Sequence, residues 1–386
     1  MKIIIYEDNF EQLQPLINLY PQFFLRLGMK TISENTAYFF KRASMGYITR
    51  KLFNNKKIEI TGPALYISAR AIISKRIAFL SKDTKFLIDS QPIAFFKQKP
   101  PYPKNLKEIK KTLKEIKTTR EIDGFLVDKL WDLIKLNSVV FTHQFECVKA
   151  KHEIPKHTYI IGQKSKVFIA QKAHIHKFVT IDVSRGPVYI DDDVIIKPFS
   201  FIAGPSYIGP GSIIDRAKII ESSIGPSCRI GGEVESCIFQ GYSNKYHEGF
   251  VGHSFIGEWV NLGALTTNSD LKNNYGSVRT RIGMRELDSG MKKLGCFIGD
   301  HTKTGIGTLI PTGAVIGSFV NFFGGGMMPK YVPGFKWLST TKQKNYDLEK
   351  AIACARNVMQ RRNLKMSKHY EGLIRTYYRC EVRCSD

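Results

Sequence analysis

Asparagine, lysine, histidine and tyrosine side chains are unusually dense between Gly231 and Tyr275. Amide groups bind sugar hydroxyls, lysines bind phosphate as compact charges, and an imidazole can act as a base near neutral pH. A scaffold of repeated strands does not require this composition, so the segment predicts a site for a polar, phosphorylated ligand. Its candidate residues are Asn244, Lys245, His247, Asn261, Lys272 and Asn273.

A six-residue period indicates the elements that position this segment. The period fits neither an α-helix nor an ordinary sheet, and it is typical of a hexapeptide β-helix, in which three short strands make one turn. Each unit places one side chain in a narrow core, and stacked turns bury their neighbours' apolar edges. The two runs are Ile190, Ile196, Ile202, Ile208, Ile214 and Ile220, then Ile298, Thr304, Ile310, Ile316 and Phe322.

The rest of the chain divides around this repeat. Residues 1–155 are expected to form an α/β domain, with strands at Met1–Tyr6 and near Tyr66 and Phe79, and helical spacing at Leu126–Leu136. Residues 156–335 are assigned to the β-helix, interrupted at Cys237–Phe250 and by an inserted loop at Asn273–Leu294. Residues 336–386 form a basic tail with a predicted helix over 346–365.

Composition limits the class of protein. The chain has 386 residues, 43% of them hydrophobic, so it is long enough for two or three packed domains. We predict a cytoplasmic protein, because no apolar run has the length of a membrane span and the seven cysteines form no zinc spacing. The formal charge of +24 is compatible with an anionic partner or with solvated lysines, and no motif for nucleic-acid recognition is present.

Five segments resemble one family, the bacterial bifunctional enzymes that make UDP-N-acetylglucosamine, and most closely its alternative branch from Bacteroidetes-like bacteria. The resemblance is most specific from Gly231 to Tyr275 and extends over most of the chain. The other segments are Leu25–Gly28, Gly186–Ile190, Gly299–Gly305 and Ala355–Met359.

The resemblance implies a fold and two activities. The expected fold is a nucleotidyltransferase-like N-terminal domain followed by a left-handed β-helix that forms a homotrimer. The β-helix would transfer an acetyl group from acetyl-CoA to the amine of glucosamine 1-phosphate. The N-terminal domain would join the product to UMP from UTP, with Mg²⁺ needed only if that domain is active.

The resemblance also assigns roles to individual positions. His247 occupies the position of the general base, and Asn261 falls on a sugar-binding asparagine. Phe250 replaces a tyrosine of the better-known branch, and Glu235 replaces its phosphate-binding lysine, so Lys245 or Lys272 is expected to take over the phosphate. Acetyl-CoA is expected along the later coils, near Thr302, Lys303 and Ala314.

The N-terminal domain departs further from the family pattern. The alternative branch has an Arg-Pro pair and an aspartate before its Leu-Arg-x-Gly motif, and here those positions read Tyr20-Pro21 and Phe24. Asp8, Arg26 and Gly28 remain as the candidate nucleotide-binding residues. Two hypotheses remain for this domain: it catalyses uridylyl transfer, or it is catalytically silent and serves folding or assembly.

Three alternatives remain beside the acetyltransferase. The acceptor could be another amino sugar or a nucleotide sugar, or the β-helix could serve a non-catalytic assembly or regulatory role. A basic nucleic-acid binder is the third. A metal site is not predicted, because the histidines do not have the spacing of the three-histidine β-helix enzymes; those considered are His174, His176, His253 and His301.

Overall fold

The computed structural model describes residues 2–53, 59–148 and 154–383. The chain divides into two compact units. The first comprises Met1–Leu13, Tyr20–Arg26 and Lys30–Asp132, and the second comprises Gln14–Leu19, Leu27–Met29 and Leu133–Asp386. The predicted boundaries at residues 155 and 335 stay predictions. None of the helices within the described ranges is long and apolar enough to cross a membrane.

The first unit contains a six-stranded mixed sheet. Lys2–Tyr6 lies between two parallel neighbours, Ser44–Ile48 and Ala64–Ser68, and it is almost entirely buried, as is Ala64–Ser68. The sheet continues through Gln91–Lys97, Thr84–Ile88 and Thr119–Glu121. The strand predicted near Phe79 is wrong, because that residue lies in the connection between Ala71–Ile73 and Thr84–Ile88.

Short elements complete the N-terminal half. The α-helices are Ile32–Phe39, Leu106–Glu115 and Leu130–Glu146, so the last of these begins four residues later than the apolar spacing from Leu126 predicts. Asn105 and Thr31 cap the two earlier helices through their side chains. The remaining pieces are the strands Arg26–Leu27, Lys30–Thr31 and Gly124–Leu126, and the 3₁₀ turns Phe10–Leu13, Gln22–Phe24 and Lys51–Phe53.

The second unit is built on the predicted left-handed parallel β-helix, which is confirmed. One face is a nine-stranded parallel sheet with one strand from each turn. The core-facing residues of that sheet pair in one continuous register from Ile190 through Ile208, Ile224, Phe239, Ile256, Ile298 and Ile316 to Val332. Its strands are Val167–Ile169, Val188–Ile190, Ser206–Ile208, Ser223–Ile224, Ile238–Gly241, Phe255–Glu258, Cys296–Ile298, Ala314–Ile316 and Tyr331–Val332.

The other two faces share two long strands that turn a corner, Ile213–Ile220 and Arg229–Glu235. The second face also has Tyr159–Ile161, Thr180–Asp182, Phe201–Ala203, Phe250–Gly252, Thr267–Asn268, Thr308–Ile310 and Gly326–Met327. The third face also has His174–Ile175, Ile195–Ile196, Asn244–Lys245, Lys303–Thr304, Asn321–Phe322, Lys336–Leu338 and the antiparallel Gln343–Asn345. The 3₁₀ turn Lys164–Lys166 lies near the start of the coil.

The six-residue pattern predicts most of the core but misplaces one residue. Ile190, Ile196, Ile202, Ile208 and Ile214 are fully buried, whereas Ile220 is only half-buried and Ile219 takes the inward position. The preceding coil pairs Ile196 with Ile214 and Ile202 with Ile219, so the unit after Ile214 has five residues instead of six. The downstream run from Ile298 to Phe322 is buried as predicted.

The inserted loop is present where the sequence predicts it. Leu271 and Lys293 bridge at its base, so the chain leaves and rejoins the coil at one corner. Within the loop, Arg279–Ile282 and Arg285–Asp288 form an antiparallel hairpin. The other predicted interruption, Cys237–Phe250, instead continues the coil and adds strands to all three faces.

Two helices follow the coil. Leu348–Gln360 lies within the helix predicted over 346–365, and Lys368–Arg383 is a helix that the sequence pattern left unassigned. Both contribute to a cluster with aromatic residues from the corners of the last coils, including Phe319 and Phe335. Because these corner rings are buried against the helices, the cluster holds the first helix beside the third face of the coil.

Candidate active site

Lys245 occupies a core position of the β-helix. It pairs with Ile230 in the coil below and is 2% exposed. Its ammonium reaches the corner of the coil, where it donates to the carbonyl oxygens of Gly231 at 2.8 Å and His247 at 2.7 Å. Burial lowers the pKa of Lys245 to about 8. These contacts do not support the predicted phosphate contact, because the ammonium is enclosed and engaged by backbone.

His247 lies on the exposed corner that Lys245 supports. The corner joins Asn244–Lys245 to Phe250–Gly252, and the imidazole is exposed beside the ring of Tyr246, with 5.8 Å between ring centroids. The hydroxyl of Tyr246 accepts a 2.8 Å hydrogen bond from Lys197, which also pairs with Asp215. The backbone at His247 is therefore fixed from the core, while its side chain faces solvent.

The buried ammonium of Lys245 predicts a pH-dependent stability. Because its pKa is lower in the folded protein than the ordinary 10.5, the folded state carries an unfavourable charge below pH 8, and this penalty disappears as pH rises to 10.5. Relative to Lys245→Met, the wild-type protein should gain about 3 kcal/mol of unfolding free energy across that window. Urea unfolding of both proteins between pH 7.5 and 10.5 measures the difference.

Lys350→Met provides the control for that experiment, because Lys350 is exposed on the surface of the helix Leu348–Gln360. Its pH curve should run parallel to that of the wild type. Parallel curves for the Lys245→Met protein as well would contradict an enclosed ammonium at this position.

A cavity of about 180 Å³ opens on the third face of the coil. Asn244, Asn261 and Lys303 follow one another in register along this face and line the cavity. The amide of Asn244 donates to Asn261 Oδ1 at 3.1 Å, and Asn244 Oδ1 accepts a 2.7 Å hydrogen bond from Arg362. The other lining residues are Tyr242, Trp259, Val260, Val358 and Arg361. The structure thus brings three of the predicted residues together.

The residues predicted to bind acetyl-CoA have different environments. Thr302 is fully buried, and its hydroxyl donates to the Gly317 carbonyl at 2.7 Å, while Ala314 is also enclosed in the core. Only Lys303 lies in the cavity, where its ammonium donates to the His301 carbonyl at 3.0 Å and burial lowers its pKa. The geometry therefore supports a ligand contact for Lys303 and a structural role for Thr302 and Ala314.

The inserted loop contains Lys272 and Asn273. The ammonium of Lys272 donates to the Ser277 carbonyl at 3.1 Å, a contact within the loop, and Asn273 is exposed. The cation beside Glu235, which the sequence analysis missed, is Lys293, with 3.3 Å between its Nζ and Glu235 Oε1. Pairing across an insertion of more than twenty residues leaves no signal in local spacing.

A histidine–aspartate pair lies where the inserted loop rejoins the coil, and the sequence analysis considered its histidine for metal binding but not as a base. His253 Nδ1 lies 2.7 Å from Asp270 Oδ2, and both side chains are mostly buried. Burial raises the pKa of Asp270, but the hydrogen bond and charge of His253 outweigh it and hold the pKa below its ordinary value. Because the carboxylate orients this imidazole, His253 is a second candidate base.

The histidines considered for metal binding are not gathered into one site. His174 and His176 are exposed on an early coil, whereas His301 is buried and its Nε2 lies 3.0 Å from the Tyr370 hydroxyl. Burial holds the pKa of His301 well below its ordinary value. Within residues 2–53, 59–148 and 154–383, no three histidine, cysteine or acidic side chains are grouped as metal ligands.

In the first unit, acidic and basic residues meet where three parallel strands end. Asp8 follows Lys2–Tyr6 and pairs with Arg70 at 2.9 Å, and Arg70 also pairs with Asp128. Glu7 accepts hydrogen bonds from the side chain of Arg50 at 2.5 Å and from two backbone N–H groups. The carboxyl edge of parallel strands is a common ligand site, but here the carboxylates are already paired with arginines. This arrangement does not fit a Mg²⁺ ion.

Arg26 and Gly28 are both buried, Arg26 on the short strand Arg26–Leu27 and Gly28 in the turn that follows it. The Gly28 N–H donates to Asn137 Oδ1 at 3.0 Å, and its φ of +68° favours glycine. A Cβ at this position would collide with the Gln144 side chain. Gly28 therefore has a packing role against the helix Leu130–Glu146, and its N–H is not directed at a nucleotide.

Comparison with known proteins finds similarity to both kinds of transferase. Residues 3–153 match the sugar nucleotidyl transferase family. A bifunctional sugar-1-phosphate nucleotidylyltransferase/acetyltransferase of Sulfurisphaera tokodaii is 35% identical over 160 residues, covering 38% of this chain and 38% of that protein. The bifunctional protein GlmU of Gloeothece citriformis is 29% identical over 170 residues, covering 36% of this chain and 34% of that protein. The chain thus spans little more than a third of either relative.

Solved structures also match. One is a UDP-N-acetylglucosamine acyltransferase from Campylobacter jejuni, with 11% identity and a TM-score of 0.26, over 58% of this chain and 95% of that one. Another is a Bacillus cereus acetyltransferase structure, with 16% identity and a TM-score of 0.25, over 57% of this chain and 97% of that one. Residues 3–153 thus match the sugar nucleotidyl transferase family, and the chain is similar in part to bifunctional sugar-1-phosphate nucleotidylyltransferase/acetyltransferases.

Proposed function

We propose that this protein transfers the acetyl group of acetyl-CoA to the amine of an amino-sugar phosphate, with glucosamine 1-phosphate as the acceptor. The observation that carries the proposal is the exposed imidazole of His247. Its corner of the coil is held by the buried Lys245, whose ammonium donates to the His247 carbonyl oxygen at 2.7 Å. The position of His247 in the segment that resembles the bifunctional enzymes supports the same role. The product would supply UDP-N-acetylglucosamine synthesis for cell-envelope precursors.

In the proposed reaction, the sugar ammonium first loses one proton to solvent, directly or through His247, and His247 then accepts a second proton from the nitrogen as the free amine attacks. The amine nitrogen forms a bond to the thioester carbonyl carbon, and backbone N–H groups stabilise the oxyanion that develops. The carbon–sulfur bond then breaks, and the proton held by His247 leaves with the coenzyme A thiolate. Positioning of two bound substrates would supply most of the rate increase.

The acceptor is tested by incubating the protein and acetyl-CoA with a panel of amino sugars and following acetylated products by mass spectrometry. Glucosamine 1-phosphate should gain one acetyl group, while glucosamine without phosphate should remain unmodified. Acetylation of a different amino sugar or of a nucleotide sugar would move the assignment to that acceptor, the alternative that Glu235 and Phe250 motivate.

For the first unit, a domain without uridylyl transfer is the second proposal. It is supported by the arginines that already pair with Glu7, Asp8 and Asp128. Adding UTP and Mg²⁺ to the acetylated product should then give no pyrophosphate. Pyrophosphate release that depends on the sugar phosphate would establish a bifunctional enzyme instead. The trimer and the cytoplasmic location stay predictions, which light scattering and cell fractionation would test.

A further inference from the structure

Positively charged side chains line the cavity on the third face of the coil. Lys303 lines it from the coil, while Arg361 and Arg362 line it from the end of the helix Leu348–Gln360. Arg229 stands one coil below Asn244 and adds to the field at Arg362. Within the described ranges, no carboxylate lines the cavity. Because several positively charged side chains converge on the cavity and no carboxylate of the described ranges lines it, the cavity attracts an anion.

Arg362 is held in place without being neutralised. Its Nη2 donates to Asn244 Oδ1 at 2.7 Å, and Asn244 is held in turn by Asn261. The Nε of Arg362 is buried and has no hydrogen-bond partner among residues 2–53, 59–148 and 154–383. Burial, together with the charges of Arg229 and Arg361, lowers the pKa of the Arg362 guanidinium. An anion in the cavity would offset the repulsion between these cations.

The chemistry of the walls favours phosphate. A guanidinium presents planar pairs of N–H groups that match phosphate oxygens, and the ammonium of Lys303 adds a compact second charge. Apolar residues also line the cavity, namely Val260, Val358 and Trp259, whose ring stacks on Tyr242 at 4.4 Å between centroids. The volume of about 180 Å³ accommodates one phosphate group and part of the molecule that carries it.

We propose that this cavity is a binding site for a phosphate monoester, with Arg362 and Lys303 as its principal cationic contacts and Asn244 as the residue that positions Arg362. The site stands on its own geometry and does not depend on the acetyltransferase activity. Three sources share this chemistry: the phosphate of the sugar acceptor, the 3′-phosphate of coenzyme A, and free phosphate.

The first test measures binding of inorganic phosphate to the full chain by thermal shift and by calorimetry, with sodium chloride added to equal ionic strength. Phosphate should raise the melting temperature of the wild-type protein and release heat on binding. Arg362→Gln should abolish both effects, and Arg362→Lys should retain part of them. Each shift is measured from that variant's own baseline, so a change in intrinsic stability does not obscure the result.

Lys350→Gln is the matched control, since it removes one exposed positive charge from the same helix outside the cavity. It should respond to phosphate as the wild-type protein does. Equal phosphate responses in wild-type and Arg362→Gln proteins would overturn the proposal, as would the absence of any response in the wild-type protein.

Kinetics with Arg362→Gln then identifies the source of the phosphate. A KM raised about tenfold or more for the amino-sugar phosphate alone would place the acceptor there, and the same rise for acetyl-CoA alone would place the coenzyme there. Unchanged KM values, together with lost phosphate binding, would assign the site to free phosphate. If no acetyl transfer occurs at all, the proposed function fails while the calorimetric result still decides the phosphate site.

Discussion

Replacing His247 by alanine should lower kcat for acetyl transfer by about 10²–10⁴-fold, the usual contribution of a general base. The KM values for acetyl-CoA and the sugar phosphate should change little, because the imidazole is exposed on a corner and other groups hold the substrates. The fold should also be unaffected, since Lys245 binds the backbone carbonyl of residue 247, which alanine retains. Initial rates of coenzyme A release measure the effect.

Two further histidine variants make the result specific. His174→Ala removes an exposed imidazole from an earlier coil and should leave kcat unchanged. His253→Ala removes the imidazole that Asp270 orients at 2.7 Å. If His253→Ala abolishes turnover while His247→Ala retains it, the base is the His253–Asp270 pair and the assignment of His247 fails.

Replacing Phe239 by alanine should destabilise the protein by about 3–5 kcal/mol. Phe239 is fully buried and lies in the inward ladder of the nine-stranded face, between Ile224 and Ile256. Rigid coils above and below cannot close around the missing ring, because each strand is hydrogen-bonded to both neighbours. The loss is measured as the unfolding free energy from urea denaturation followed by circular dichroism.

Leu309→Ala is the comparison for Phe239→Ala. Leu309 lies on the strand Thr308–Ile310 and is 43% exposed, so its truncation leaves no enclosed cavity. Its unfolding free energy should change by less than about 1 kcal/mol. Equal losses for the two variants would contradict the assignment of Phe239 to the interior of the coil.

The β-helix could be predicted because each unit of the coil must place one side chain of similar size in the core, and this requirement repeats every six residues. The prediction failed at Ile220, because the unit after Ile214 has five residues, so Ile219 pairs with Ile202 and takes the inward position. A six-residue period cannot reveal a unit that is one residue shorter when two isoleucines, Ile219 and Ile220, are adjacent. The inserted loop was predicted correctly because its residues leave the period altogether.

Lys245 shows why the candidate site was only partly predictable. Its residue type and its neighbours Asn244 and His247 indicate phosphate binding, but its place in the repeat puts it inside the core beside Ile230. Alternation along a short strand decides which of two adjacent polar residues points outward, and here that residue is Asn244, which lines the cavity. The residue types alone do not indicate which of these two neighbours faces the cavity.

The arginines of the cavity could not be predicted from spacing. Arg362 lies more than a hundred residues from Asn244 and reaches it because the corner rings of the last coils hold the helix Leu348–Gln360 beside the coil. In the same way, Arg50 and Arg70 pair with Glu7 and Asp8 only because three strands lie parallel and end at one edge. Long-range pairing of this kind depends on topology, which the local pattern does not contain.

The most direct measurement is the release of free coenzyme A thiol from acetyl-CoA by the purified full chain, with and without glucosamine 1-phosphate. The proposed function predicts release that requires the sugar phosphate, saturates with both substrates and is accompanied by one equivalent of acetylated sugar. A folded protein that releases no thiol with this acceptor or with any amino sugar of the panel would contradict an acetyltransferase and leave an assembly role for the β-helix.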